Sequence, residues 1–572
     1  MAVEKCASPF LLDKVMFDTG CFDKPCKVEI LNQICQIAIR PHDETAEVVE
    51  GATLRFRDAM AAHPDTETLL LHGLEEPQSY DCLEPIPSLR QLCLSNCCIE
   101  EIPSFPDLEV LILWKCSFRK IDKMPSLKAL AIVDSYVHPR MLATFLEGCP
   151  SLQKFSLIRS GDILNTRKDT GYYFSPCTNP LLFQTRNLHE IFLQGTLLPW
   201  ADIVHNIRSN PQFTKLSISD TWLPDPFVAW MTHAMGSPSS TLVDLTIRDV
   251  QWSPYASLQL VNGLQCHSRI QRLDVSNTLW HRYSQLSLSQ YLQDNKNIQE
   301  FKIASLVDPS MISIILDACA NCPSLKCITI ARNYLNSSAM CSLARLLQMH
   351  PSLEELDLSN CWAEDLGSWD DVLAALSAND SLKTISLERC QVGDKGAIAI
   401  GQALVVNTTL QSIDLCHNGI GFLGITALVE GLKDNCTLQR IFLHGNSNEI
   451  EAAVLLRNLV RHDNFNLRVV FLPESHLQEE LQYYGALNYA GRQHVGDSTI
   501  SHALWPMILE RALDVGPEIA FHLLQQRPDL LGNRSRRMNK RGYHDVTEAS
   551  LDIPSRSVRP RHDTTIDTQS HL

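Results

Sequence analysis

Leu353-Glu-Glu-Leu-Asp-Leu-Ser-Asn-Cys361, Leu382-Lys-Thr-Ile-Ser-Leu-Glu-Arg-Cys390 and Leu410-Gln-Ser-Ile-Asp-Leu-Cys-His-Asn418 are three copies of one nine-place phrase. Its places one, four and six are apolar, and its ninth is small and polar. The alternation at places four to seven is the period-2 signature of a half-buried strand. Working outward, sixteen copies begin between Thr66 and Leu467, among them those at Leu89, Leu108, Ile270, Leu325 and Leu438. From Leu242 onward the gaps between copies are 28, 28, 27, 28, 29, 28, 28 and 29 residues, a regularity that marks a repeat array.

Between strands the gaps carry helical spacing. Ile425, Leu428 and Leu432 fall on one face of a helix, and so do Ala397, Ile400 and Leu404. A strand and a helix in about 28 residues cannot bury their own apolar faces, so each unit must stack on the next. Helices are wider than strands, so the stack curves with strands inside. The expected architecture is an α/β, right-handed solenoid with parallel concave strands, convex helices and a helical cap at each end. The ninth place is Asn, Cys, Thr or Ser in thirteen of sixteen units, for example Cys97, Cys116, Asn333, Cys361, Cys390, Asn418 and Asn446. A small polar group there is expected to turn inward and satisfy backbone groups where the chain leaves the strand.

The chain resembles the ribonuclease-inhibitor-like leucine-rich-repeat family over roughly residues 66–475, on the leucine places and the Asn or Cys at place nine. That resemblance implies a horseshoe that binds protein partners on its concave face. The gaps Leu89–Leu108 and Leu108–Leu127 are only 19 residues, and their IPSFPDLEVL and IDKMPSLKAL phrases resemble the short-repeat subclass. Little room is left there for a helix, so the expected path is extended. The segments HLQEELQYYGALNYAGR and HALWPMILERAL resemble the helical end of leucine-rich-repeat proteins of diatoms and related algae. The expected domains are an arm and capping helix at 1–62, in which Glu44–Ala62 is amphipathic, and the array at 63–475. Within the array, residues 89–151 are the short-repeat part and 242–475 the regular part. A helical cap at 476–531 and a disordered basic tail at 532–572 complete the chain.

Net charge is −16, which disfavours a phosphate-backbone partner, so no nucleic acid is expected. No apolar window of 18 residues exists, and the N-terminus lacks the apolar core of a secretory signal, so no membrane is expected either. The 20 cysteines fit buried packing thiols in a reducing compartment. The five N-x-S/T sequons, at Asn336, Asn379, Asn407, Asn435 and Asn533, are then chance matches in loops. The expected location is cytoplasmic; Arg534–Arg541 is either a solvated basic tail or a nuclear-localisation cluster.

No motif points to catalysis, a cofactor or a metal. Gly419-Ile-Gly-Phe-Leu-Gly424 fits the dinucleotide fingerprint, but it sits where a repeat must turn and has no second βαβ half around it. Cys21 and Cys26 lack a second ligand pair. His72, His417 and His444 read as isolated surface histidines. The expected role is therefore a non-catalytic protein-interaction scaffold with an unknown protein partner. Two alternatives are weighed. One branch of the family activates small GTPases, but it carries an acidic tail, whereas residues 532–572 are net basic. Cys26–Cys35 faintly resembles the start of an F-box, which would make the chain a ubiquitin-ligase substrate receptor, but the Leu-Pro opening is missing.

Places three, five and seven of each unit face away from the core. In later units they are polar, as at Asp274, Lys302, Glu355, Asp357, Glu388 and Asp414. In the early units they are apolar: Val110, Ile112, Trp114, Ala129, Ala131, Val133 and Ile158, with Phe192 one unit on. Strands about 4.8 Å apart would join these into one surface. A partner could grip it, with Trp114 as the anchor. Alternatively the long insertion after Leu152, or the N-terminal arm, covers it.

Overall fold

The computed structural model describes residues 68–72, 89–160, 187–472, 477–495 and 504–530. Within these ranges there are short breaks at 96, 136, 138, 197–199, 268, 279, 306–310, 365–368, 447–448 and 528–529. The expected N-terminal arm and cap, the Cys21/Cys26 pair, the segment Cys26–Cys35, the insertion at 161–186, Asn533 and the basic tail all lie outside the described residues.

Sixteen strands, one from each repeat, form a single parallel sheet in which every strand pairs with its sequence neighbours in the array. Registers are equivalent throughout: Leu356 of Glu355–Asp357 faces Ile385 of Thr384–Ser386, and Ile385 faces Ile413 of Ser412–Asp414. The leucines of places one, four and six are buried, so one continuous apolar core runs along the stack. Ile425, Leu428, Leu432, Ala397, Ile400 and Leu404 are the buried faces of the helices Phe422–Lys433 and Gly393–Val406.

Two polar ladders close the ends of each repeat. At place nine, Asn333 Nδ2 donates to the carbonyls of Ile303 (3.0 Å) and Ile330 (2.6 Å). Asn418 Nδ2 donates to Leu387 O (2.7 Å), and its Oδ1 accepts from Cys390 N (2.9 Å). Where Ser replaces Asn, as at Ser135, the hydroxyl donates to Val133 O and accepts from Cys116 N. The thiols of Cys361 and Cys390 donate to carbonyls of the preceding repeat, and burial pushes Cys361 up to about 12.

The second ladder lies at the other end, where each helix turns back into a strand. Asn379, Asn407, Asn435 and Asn464 are buried, and each Nδ2 donates to carbonyls of the preceding unit. Three of the sequon asparagines are therefore structural. A fourth, Asn336, caps Ser337–Met349 by accepting from Ala339 N (2.9 Å).

His350 stands in the same ladder. Its Nε2 donates to Cys322 O (3.0 Å) and its Nδ1 accepts from Ser352 N (3.3 Å), so the ring is neutral. Burial lowers its pKa below the usual histidine value, against the opposing carbonyls of Cys322 and Cys319. The unfolded chain thus binds the proton more readily. The contribution of His350 is complete above about pH 6.5 and is lost as pH falls toward the depressed native value. His350→Asn is expected to keep the neutral-pH melting temperature within a few degrees and to reduce its drop between about pH 7 and 5. Parallel melting curves check this; identical pH slopes for the two proteins would refute it.

In the short repeats the path after place nine is extended: Cys98–Ile102 pairs in parallel with Ser117–Ile121. The unit starting at Leu127 does hold a helix, Pro139–Glu147, which 25 residues allow and 19 do not. Among the described residues the helix-free path is that of the two units starting at Leu89 and Leu108. After the last strand, Val469–Phe471, the helix Gln478–Ala490 begins. Leu477 and Leu481 join the core, and Asn488 Nδ2 donates to Leu467 O (2.7 Å) and Asn464 O (3.1 Å). Compact packing divides the chain between Asn488 and Tyr489. The second unit contains the helices Trp505–Val515 and Pro517–Gln526, with Arg527 stacked over the Trp505 ring at 4.7 Å.

Candidate interaction surface

Three rows of side chains cross the strand face, one for each outward place. Parallel pairing sets Val110 beside Ala129, Ile112 beside Ala131 and Trp114 beside Val133. Val110, Ile112, Ala129 and Ala131 form with Cys93 a buried cluster of their own, separate from the main core. Val133 is only 1% exposed. Alanine beside a branched residue lets neighbouring strands share one tight apolar layer. Of the predicted surface, Trp114, Ile158 and Phe192 remain partly exposed. The Trp114 indole Nε1 is buried without a hydrogen-bond partner, and Lys115 Nζ lies 5.4 Å from the ring centre.

Val133, Ile158 and Phe192 line one end of a groove of about 540 Å³ that runs across the strand face to Lys302. Its polar part is a row of alternating charge, with Lys154, Glu190, Lys215, Asp244, Arg272 and Glu300 side by side on successive strands. Lys154 pairs with Glu190 at 3.3 Å, and Asp244 holds Arg272 at 2.8 Å and Lys215 at 3.8 Å. The Asp244 hydrogen bond raises the Arg272 pKa further above its ordinary value. Lys302 closes the row on Glu300 at 2.6 Å. These pairs run along the row, so the groove wall is polar and of mixed charge. Within any single unit this row shows only one charged residue, so it is not legible unit by unit. Reading place three down successive units would have shown the alternation.

The far end of the strand face is aromatic, not polar. Phe442 and Phe471 lie 6.0 Å apart, and His417 and His444, expected to be isolated, stack edge-to-face at 4.9 Å. Places seven and eight of adjacent repeats meet in the sheet, which spacing along the chain conceals.

A family model described as Leucine Rich repeat matches residues 378–401 and 406–429, two adjacent units of this array. Those two units are leucine-rich repeats, and the units on either side continue the same parallel sheet in equivalent register. Among solved structures, the crystal structure of the Rad7 and Elc1 complex in yeast is similar at TM-score 0.38 and 13% identity, covering 83% of this chain and 94% of that one. The curated proteins offer no match.

In the leucine-rich repeats the Gly419–Gly424 stretch serves the turn. Gly419 takes φ +65°. The amides of Gly421 and Gly424 both donate to Asp394 Oδ1 of the preceding repeat, at 2.7 and 2.9 Å. A carboxylate thus occupies the helix N-terminus where a phosphate would otherwise be held. Among the described residues no group of three or more His, Cys, Asp or Glu could hold a metal ion. Nor is any helix among them long and apolar enough to cross a membrane.

Proposed function

We propose that this chain is a non-catalytic scaffold, cytoplasmic and of the ribonuclease-inhibitor-like class, that binds a protein partner on its strand face. The groove carries the reading. It joins an apolar end at Ile158 and Phe192, with Trp114 beside it, to a long polar wall of mixed, largely paired charges. An apolar anchor next to a hydrogen-bonding rim is how protein interfaces divide affinity from specificity. Repeats of 27–29 residues with one strand and one helix support the class, and free thiols, most of the described ones buried, suit a reducing compartment.

The test compares affinity purification with wild-type protein, Trp114→Glu and Phe192→Ser. Loss of a hot-spot aromatic should weaken a partner at least about thirtyfold while the melting curve stays close to wild type. Unchanged binding together with a large loss of stability would show that these side chains only pack.

A further inference from the structure

Most of the groove lining falls into three rows, one from each outward place of the strands between Lys154–Ile158 and Glu300–Lys302. The place-three row changes sign at every strand, from Lys154 and Glu190 through Lys215 and Asp244 to Arg272 and Glu300. The place-five row is the floor. There Ser156 and Ser217 are small and buried on either side of Phe192, and Thr246 follows. The opposite wall carries Ile158, Gln194 and Arg248, with Arg159 beside Ile158. Its two cations lie on carboxylates just outside the groove, Arg159 on Asp134 at 2.7 Å and Arg248 on Asp249 at 3.6 Å. At the far end Asp274 accepts from Ser276 N at 3.1 Å. The six cations of the lining face six carboxylates, Asp134 and Asp249 included, so neither sign prevails.

We infer that the groove seats an amphipathic α-helix of the partner, whose flank on the place-three row carries charges of alternating sign. The inference rests on the strand-face binding proposed above and names its occupant. Places three and seven are four residues apart, about 13 Å along a strand, which suits a helix about 10–12 Å across. A single extended chain fills only about 5 Å of that width. The sign of the row changes at each strand, about every 4.8 Å. Helix positions alternately three and four residues apart recur on one face about every 5.3 Å, a mismatch that long charged side chains absorb. Same-side residues of an extended chain are about 6.7 Å apart and fall out of step within three strands. The row spans about 24 Å, the length of a helix of about 16 residues. An apolar stripe on that helix meets Phe192 and Ile158 above the small floor residues. A flank of one sign meets like charge at every second strand, so a uniformly acidic or basic helix is disfavoured.

The full chain is titrated at low salt against a fluorescein-labelled peptide of that length, read by fluorescence anisotropy. Leucines form one stripe of the peptide, glutamate and lysine alternate along one flank at helical spacing, and alanine fills the rest. Saturable binding is expected. It should be about tenfold weaker when the same acids and bases are sorted into opposite halves, and lost with proline at the centre. Phe192→Ser should weaken it about tenfold. Thr246→Arg raises a long side chain from the floor and should abolish it; Thr246 is partly exposed, so the melting curve should not move. Absence of binding at millimolar peptide, equal binding of the sorted or proline peptide, or insensitivity to Thr246→Arg would each overturn the inference. Affinity purification separates the two readings: a partner lost with Phe192→Ser, while no helical peptide binds, leaves the strand-face scaffold standing and removes the helix.

Discussion

Asn435→Ala is expected to lower stability by about 4 kcal/mol, as large an effect as at the equivalent Asn407 and Asn464, which make the same bonds. The Asn435 side chain is buried and makes four main-chain hydrogen bonds. Its Nδ2 donates to Leu404 O (2.8 Å) and Asn407 O (3.1 Å), and its Oδ1 accepts from Thr437 N (3.1 Å) and Leu438 N (2.8 Å). Alanine removes these bonds, each with a net contribution near 1 kcal/mol, and leaves buried backbone groups unsatisfied. Asn435→Asp discriminates the cause. It keeps the acceptor for the two amides but sets a carboxylate against two carbonyls, so it should be nearly as destabilising. Because repeats couple only to neighbours, the C-terminal units should melt ahead of the rest. Chemical denaturation followed by hydrogen exchange reads both effects. A loss below about 1 kcal/mol for either variant would contradict the ladder as a main source of cohesion.

Gly431→Ala should cost about 2 kcal/mol, against the helix propensity of alanine, which favours the substitution by about 1 kcal/mol. Gly431 of Phe422–Lys433 packs directly on Gly401 of Gly393–Val406. A Cβ at Gly431 would collide with the Gly401 carbonyl, and a Cβ at Gly401 with the Ala427 carbonyl. The obstacle is main chain in both directions, so no side-chain rotation relieves it and the helices must separate. Thermal unfolding decides the sign: a raised melting temperature for Gly431→Ala would mean that the helices are looser than this contact implies.

Most of the fold was legible because repetition multiplies a weak signal. One nine-residue phrase is ambiguous, but sixteen copies at nearly fixed spacing identify the strands, the buried leucines and the place-nine ladder. The second ladder was visible only as a stop signal before each strand, since nothing local reveals that Asn407 reaches back to Leu376 O. Place eight escaped the reading altogether. It takes a left-handed conformation in thirteen consecutive units, from Lys115 to Gly445, yet is often Lys or Arg rather than Gly or Asn. There the turn is imposed by the stacked neighbours and overrides the residue's own preference.

The sequence by itself determined that strands alternate with helices, which face of each is buried and where the helix-free units lie, because burial periodicity is local. The tertiary structure decided the surface. Val110, Ile112 and Ala131 were expected on one apolar surface, either gripped by a partner or covered by the chain itself; they are buried in one cluster, while Trp114, Ile158 and Phe192 stay partly exposed. The charged row from Lys154 to Glu300 and the His417–His444 pair exist only because places tens of residues apart are brought one strand apart. Such adjacency is a property of the stack, and no single repeat contains it.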